Sequence, residues 1–387
     1  MKKGKNLRSV NTDGGVNLQF KLLSAIGIII IVSGHCYHGG MELAYNWFPP
    51  YSYNLALFVF ISGYFYKTDY EENVGKYIWK RTKRLLIPAY LWNIFYGGMV
   101  AFLGLFGFTI GAKPDLYNLF VMPFVDGEAF QYNLGSWFVY PLFLVCIINV
   151  LFRKFLKLIH LDNEFIVLIV YLAIGMIGIN TALENPTAIN GIVKLLVRTM
   201  FFLPCYEFGR FYKAVLEKKD TLNNVAYFAI IFAVQLILLT FCKDLEYTPS
   251  SFTKFNNGFI IPYISSITAI AFWLRVSRLL VPAIGNSKLV RLIADNTYGI
   301  MVNQLVGFMC LKFVFYGLSL ITSGSLFGDF NVASFKSSIW YYYLPNGLQQ
   351  WAFVYLIFGL FVPILFSVIL NKICHIAQKY IVKFCNK

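Results

Sequence analysis

The stretch LLSAIGIIIIVSGHC (22–36) decides the fold class of this 387-residue chain. It is almost wholly apolar and carries no acidic or basic residue other than one histidine. About 20 such residues span the roughly 30 Å of hydrocarbon in a bilayer as a helix. Lys2, Lys3, Lys5 and Arg8 precede it, and no small-residue cleavage signature follows it. We therefore expect an uncleaved first transmembrane helix.

The rest of the sequence repeats this pattern. The chain is 58% hydrophobic and 13% charged, whereas soluble domains average about 45–50% and 25%. This composition excludes an ordinary soluble globule and predicts an all-α polytopic membrane protein with about ten transmembrane helices. The predicted spans are 19–38, 52–67, 86–110, 134–152, 164–182, 192–212, 224–242, 258–276, 296–321 and 349–374.

The basic residues orient the predicted helices. Most of the 33 Lys and Arg residues behind the formal charge of +15 lie in the N-terminal segment, in the C-terminal tail and in the loops after even-numbered helices. Cytoplasmic loops retain Lys and Arg, so we expect both termini in the cytoplasm. The predicted outer loops contain only Lys113, Lys243, Lys254 and Lys336.

One membrane-embedded domain is expected over residues 1–387, with basic cytoplasmic tails at 1–18 and 375–387. The outer loops are instead rich in aromatic residues, as in WFPPYSY (47–53) and IWYYYLPNG (339–347). These clusters are typical of the aromatic belts at membrane interfaces. Stacking on sugar rings is a second use that such clusters would serve.

His35 is the first candidate for chemistry. A regular helix puts it about 21 Å above Lys21, in the outer half of the bilayer. An ionisable side chain there is a functional candidate by default, and a hydrogen bond between helices is the structural alternative. His38 could share its helix face, but Gly39 and Gly40 follow and no third ligand is evident, so no metal site is expected.

A basic cluster precedes the third predicted span, in KYIWKRTKRLLIPAY (76–90). Arg81 and Arg84 are one helical turn apart, so their guanidinium groups could bind one phosphate together. Lys80 and Lys83 would add positive charge. The alternative is a positive-inside anchor that snorkels to lipid headgroups.

Other polar residues lie inside the predicted spans. Glu207 and Arg210 are spaced as a local i, i+3 ion pair. A role in hydrogen bonds between helices is expected for Asn303 and Gln304. The remaining intramembrane cations are Arg198 and Lys312.

Taken in order, several motifs make the chain resemble the membrane acyltransferase-3 family. They are VSGH (32–35), SGYF (62–65), the Arg81-x-x-Arg84 pair followed by LLIP, GSWFVYPLF (135–143) and NTYGIM (296–301). FFLPCYEFGRFYK (201–213) and SGYFYK (62–67) further resemble bacterial capsular and exopolysaccharide O-acetyltransferases. Two positions depart from the family pattern: Ser24 replaces an arginine, with Lys21 the nearest cation, and Asn303 replaces a histidine.

The resemblance implies an integral membrane O-acyltransferase of the bacterial plasma membrane. It would move an acyl group, expected to be acetyl, from cytoplasmic acetyl-CoA to a hydroxyl of a cell-surface or lipid-linked polysaccharide. His35 would act as general base or form an acyl-histidine intermediate, and Arg81, Arg84, Lys80 and Lys83 would bind acetyl-CoA. Candidates for supporting roles at the reaction centre are Asn54, Ser62, Trp137 and Asn303.

Acetyl-CoA is expected as a substrate, with no permanently bound cofactor. The other expected partners are membrane lipids and a polysaccharide or undecaprenyl-type lipid-linked acceptor, with no nucleic acid. Two alternatives share the same helix count and aromatic loops: a carrier or flippase for a sugar-lipid in envelope assembly, and a nonenzymatic assembly partner.

Overall fold

The computed structural model describes residues 12–13, 15–37, 40–41, 47–127, 129–185, 190–247, 253–322, 327 and 329–385; the side chains of 12, 13, 371 and 373–385 are outside this description. Helices form most of it, after one antiparallel pair of two-residue strands, β1 and β2. The elements are β1 Thr12–Asp13, β2 Val16–Asn17, α1 Leu18–His35, α2 Asn54–Tyr64, α3 Val74–Arg81, α4 Ile87–Gly104, α5 Met122–Val125, α6 Val139–Leu158, α7 Glu164–Glu184, α8 Gly191–Phe211, α9 Asn224–Phe241, α10 Ile261–Ile284, α11 Lys288–Asp295, α12 Thr297–Ile321, α13 Val332–Ser337 and α14 Trp351–Cys385.

The all-α polytopic prediction is confirmed, because each of the ten predicted spans falls on a helix. Eight stretches of the described chain are long and apolar enough to cross a membrane. The other two predicted spans differ for physical reasons: α2 has only 11 residues, and α8 carries Lys194, Arg198, Glu207 and Arg210 within its 21 residues. The eight stretches are Leu18–His35, Val74–Gly104, Gln131–Leu158, Glu164–Glu184, Asn224–Phe241, Ile261–Ile284, Thr297–Ile321 and Trp351–Leu370.

The outer surface of the bundle is apolar, as lipid requires. Large hydrophobic side chains such as Leu91, Ile169 and Val225 are strongly exposed. A soluble protein rarely exposes so much apolar area, whereas hydrocarbon solvates it without cost. Backbone groups are satisfied within the helices, which is the condition for spanning a bilayer.

Short polar side chains start several helices. The Asn17 side chain accepts a hydrogen bond from the Phe20 amide and begins α1, and Asn223 does the same for α9. Such N-caps satisfy amides that have no partner within the helix. The predicted first span therefore begins at a defined residue, Leu18.

Glycines allow α2 and α8 to pack in close contact. At Gly63 on α2 an added Cβ would collide with the Tyr206 carbonyl of α8, and at Gly209 on α8 it would collide with the Phe60 carbonyl of α2. Small residues at helix contacts allow this approach in membrane proteins. The glycine of SGYF thus has a packing role.

A buried ionic cluster ties α6, α7 and α8 together. The Arg153 guanidinium lies 2.7 Å from a carboxylate oxygen of Glu207 and 2.7 Å from one of Glu164. Arg210 also pairs with Glu164, at 2.9 Å. The local Glu207–Arg210 pair expected from the sequence is therefore wrong, because Arg153 of α6 supplies the cation for Glu207.

This cluster marks the end of the bundle that the charge bias assigns to the cytoplasm, called the cytoplasmic end below. Lys21 of α1 lies at the same end and forms an ion pair with Asp295 of α11. His35, fourteen residues further along α1, lies about 21 Å from Lys21 along the helix axis. The aromatic loops meet it at the opposite, outer end.

Candidate active site at the end of helix α1

Tyrosine hydroxyl groups cap the C-terminal end of α1. Tyr51 donates a hydrogen bond to the Gly34 carbonyl, and Tyr342 donates one to the His35 carbonyl. The last carbonyls of a helix have no intrahelical partner, so these bonds satisfy groups that would otherwise be orphaned. They also bring two loop segments, far apart in sequence, to His35.

The hydrogen bond of the His35 ring defines its tautomer. Nδ1 lies 2.8 Å from the Ile31 carbonyl oxygen, one turn earlier in α1. A carbonyl only accepts, so we assign the proton to Nδ1. In the neutral ring Nε2 then keeps its lone pair and can accept a proton. His38, the other candidate imidazole near the end of α1, lies outside the described residues.

Two aromatic rings border the half-buried imidazole. Trp340 stacks on it with ring centroids 6.0 Å apart and planes inclined by 25°. Tyr51 approaches edge-on at 6.3 Å. Both loops are rich in aromatic residues, but the sequence does not indicate that they meet at His35.

Gln304 of α12 is a neighbour of His35 that the sequence indicated only as a structural residue. Its side-chain amide borders the imidazole. Its Nε2 lies 3.3 Å from the Met301 carbonyl, and its buried Oε1 has no partner with hydrogen-bond geometry among the described residues. An unpaired buried acceptor is costly. Here it faces a ring that can become a donor.

A third motif approaches the same region of α12. Gln131–Phe138, a 3₁₀ segment that leads into α6, contains the glycine of GSWF. A Cβ on Gly135 would collide with the Met301 carbonyl. The motif glycine thus lets this segment pack directly on α12, one turn before Gln304.

Asn303, one of the four supporting candidates, links α12 to α4. Its Oδ1 accepts a hydrogen bond of 2.5 Å from the Tyr96 hydroxyl, and its Nδ2 donates to the Gly299 carbonyl at 2.9 Å. Both functions of the amide are therefore used within the bundle.

The other three candidates also have partners within the bundle. Asn54 accepts from the Leu55 amide at 2.7 Å, and Ser62 donates to the Phe58 carbonyl at 2.9 Å. Trp137 is buried, with the Arg198 guanidinium 4.2 Å from its ring centroid. Their roles in catalysis stay predictions.

Ser24, at the position of the missing arginine, donates to the Phe20 carbonyl at 2.8 Å. Lys21, the nearest cation, is held by Asp295. Both groups lie toward the cytoplasmic end of α1, away from the His35 ring.

A π-helical turn interrupts the basic cluster. It covers Thr82–Leu86, between α3 and α4. Pro88 has no amide proton to donate to the Arg84 carbonyl, and a wider turn accommodates its ring. Arg81 and Arg84 are consequently separated by an irregular turn: Arg81 is half-buried and Arg84 is exposed.

The Arg81 side chain faces the bundle. Its guanidinium carbon lies 5.1 Å from the Tyr77 ring centroid. Cys146 of α6 and Tyr206 of α8 also border it. Arg81 is thus the innermost cation of the cluster.

The two lysines of the cluster lie outside, each over an aromatic ring. The Lys80 ammonium is 5.4 Å from the Tyr70 centroid, and the Lys83 ammonium is 5.0 Å from the Trp79 centroid. Both lysines are exposed. Cation–π contacts of this kind orient the cations while leaving them available to solvent.

Several tyrosine hydroxyl groups inside the bundle lack a partner among the described residues. Among them are those of Tyr132, Tyr140 and Tyr298. Tyr140 and Tyr298 lie close enough to interact electrostatically. Buried hydroxyl groups are normally hydrogen-bonded, so this part of the interior suits water or a polar ligand.

The acyltransferase domain family model matches residues 17–371, which is nearly the whole chain. The chain belongs to the membrane acyltransferase-3 family. No curated protein and no solved structure matches it. Membership in this family, together with the spanning helices, identifies a multi-pass membrane acyltransferase.

Proposed function

We propose that this acyltransferase moves an acetyl group from acetyl-CoA, bound at the cytoplasmic end, to a hydroxyl of a cell-surface or lipid-linked polysaccharide at the outer end. The hydrogen bond between His35 Nδ1 and the Ile31 carbonyl is the observation that carries this proposal. With Nδ1–H bonded to Ile31, the Nε2 lone pair is the basic site. The protein would act in the plasma membrane of a bacterium.

His35 serves as general base in this reaction. Nε2 takes the proton of the sugar hydroxyl as its oxygen attacks the thioester carbonyl. A carbon–oxygen bond forms and the carbon–sulfur bond breaks. The imidazolium then gives its proton to the leaving sulfur, so coenzyme A leaves as the thiol and His35 is neutral again. While the ring is protonated, the Oε1 of Gln304 beside it can accept a hydrogen bond from it.

Arg81 and Arg84, with Lys80 and Lys83, are proposed to hold the phosphate groups of acetyl-CoA. Guanidinium groups bind phosphate oxygens in a bidentate manner. The exposed Arg84 would meet the nucleotide in solution, and the half-buried Arg81 would bind at the point where the ligand enters the bundle. The two lysines, oriented by Tyr70 and Trp79, supply further charge.

The pantetheine arm would then extend between the helices. It is slender, carries amide groups and is uncharged, so it needs a path with scattered polar partners. The unpaired hydroxyl groups of Tyr140 and Tyr298 provide such partners. We propose that they line the route from Arg81 toward His35.

Chemical analysis of the cell-surface polysaccharide tests the overall reaction. Cells with the intact protein should carry O-acetyl esters that disappear when the gene is deleted and return on complementation. A carrier or flippase would instead change the amount of polysaccharide at the surface while its acetyl content per repeat stays constant. That result would refute acetyl transfer.

A kinetic comparison tests the donor site. Arg81→Ala should raise the KM for acetyl-CoA at least tenfold, because a hydrogen bond to a charged group is worth about 1.5–3 kcal/mol. Lys76→Ala, on the same face of the membrane and exposed on α3, is the matched control and should leave the KM unchanged. An unchanged KM in Arg81→Ala and Arg84→Ala would contradict this proposal and would indicate that both arginines bind lipid headgroups instead.

A further inference from the structure

The segment 339–343 is held rigidly over the outer end of α1. The Lys312 ammonium of α12, itself fully buried, donates to the Ile339 carbonyl at 2.9 Å. The Tyr355 hydroxyl of α14 bonds both the amide and the carbonyl of Tyr343, each at 3.1 Å. Two transmembrane helices therefore fix the backbone on either side of residues 340–342.

Burying Lys312 is expensive, because an ammonium group loses its hydration there. The described structure uses it to hold a loop carbonyl, with the Tyr342 ring centroid 5.9 Å from its nitrogen. Tyr342 in turn donates to the His35 carbonyl. Lys312 and Tyr342 thus fix the position of the loop relative to His35.

Trp340 differs from its neighbours in this segment. Ile339, Tyr342 and Tyr343 are buried, whereas Trp340 remains 39% exposed while its ring stacks on the His35 imidazole. A tryptophan that only anchors the protein in the interface needs no contact with an intramembrane histidine. An immobilised, accessible indole beside a basic nitrogen has the properties of a binding surface.

Resting on the proposed acetyl transfer, we propose that Trp340 is the acceptor platform: a pyranose ring of the polysaccharide stacks on its indole and presents a hydroxyl to His35. The axial C–H groups of a sugar carry partial positive charge, and the face of an aromatic ring is negative. A rigid indole gives this stacking without an ordering cost on the protein side. Trp340 thereby determines which hydroxyl reaches Nε2.

Binding of labelled acceptor, in the absence of acetyl-CoA, tests the platform directly. The probe is the producing cell's own polysaccharide, stripped of esters by mild alkali and fluorescently labelled, titrated against the full chain in lipid nanodiscs. Trp340→Leu should weaken binding about fivefold to tenfold, a loss typical of one aromatic stacking contact. Trp340→Phe should recover a large part of it.

Trp47→Leu is the matched control, because Trp47 is 41% exposed and packs on Phe232 of α9. It should bind like the unaltered protein. Equal binding by Trp340→Leu and the unaltered protein would overturn the platform and leave Trp340 as an interface anchor. Because the titration uses no acetyl-CoA, its result does not depend on whether acetyl transfer itself is confirmed.

Discussion

Replacing Gln304 by methionine should slow acetyl transfer without destabilising the protein. Methionine has nearly the same length and volume, so packing around α12 is retained. The substitution removes Oε1, the buried acceptor beside the His35 ring that has no partner in good hydrogen-bond geometry among the described residues. Apart from this contact with the His35 ring, the interaction lost is the long contact of its Nε2 with the Met301 carbonyl, at 3.3 Å.

The size of the expected effect on kcat depends on the charge of the imidazole when Oε1 accepts a hydrogen bond from it. A hydrogen bond to a charged donor contributes about 1.5–3 kcal/mol. If this bond forms when the imidazolium forms, its loss should lower kcat about 10- to 150-fold. The free enzyme should meanwhile be as stable as before or more so, since an unpaired buried oxygen costs about 1–3 kcal/mol.

The assay combines two measurements on purified protein in detergent. Transfer of radiolabelled acetyl groups to alkali-treated polysaccharide gives kcat and the KM for acetyl-CoA, and thermal unfolding gives the stability. Asn303→Leu is the neighbouring control, because it leaves the Tyr96 hydroxyl without its partner and should lower the unfolding temperature. Unchanged kcat in Gln304→Met, or a clear loss of stability, would refute the role assigned to Oε1.

Two further predictions concern the scaffold. Arg153→Met should destabilise the protein by about 3–5 kcal/mol, because it leaves the fully buried Glu207 carboxylate without its cation; thermal unfolding checks this, and Arg153→Lys should lose less. Gly63→Val should prevent close packing of α2 on α8, since even a Cβ there collides with the Tyr206 carbonyl, and should cost at least about 1–3 kcal/mol. Gly98→Val is the control, because a Cβ there meets open space, and it should keep the elution profile of the unaltered protein in size-exclusion chromatography. Equal elution profiles of the two valine variants would contradict the packing argument.

Much of the fold could be predicted from the sequence because lipid imposes a simple rule. Each run of about 20 apolar residues must become a helix, so every predicted span falls on one. The rule gave less information about α2, which is shorter than a bilayer is thick. Nor could it indicate the π turn at Thr82–Leu86, which depends on how the chain accommodates Pro88.

Of the residues at the candidate site, only the ionisable one could be predicted from the sequence. His35 stood out because an imidazole in the outer half of a membrane is unusual. Its neighbours Gln304 and Trp340 come from segments more than 250 positions further along the chain, and their spacing from His35 carries no periodic signal. The pairing of Glu207 with Arg153 was missed for the same reason, since the sequence offered the closer Arg210.

Acetyl transfer by a His35→Gln variant tests the central claim most directly. The measurement is the rate of radiolabelled acetyl transfer from acetyl-CoA to alkali-treated polysaccharide in nanodiscs, with His160→Asn as the control. His160 lies in an exposed loop with a positive φ of 56°, a conformation that asparagine tolerates. Loss of a general base should reduce the rate about 10²- to 10⁴-fold in His35→Gln and leave His160→Asn fully active. A His35→Gln protein that inserts normally and transfers acetyl at the unaltered rate would contradict the assignment of His35 as the catalytic base.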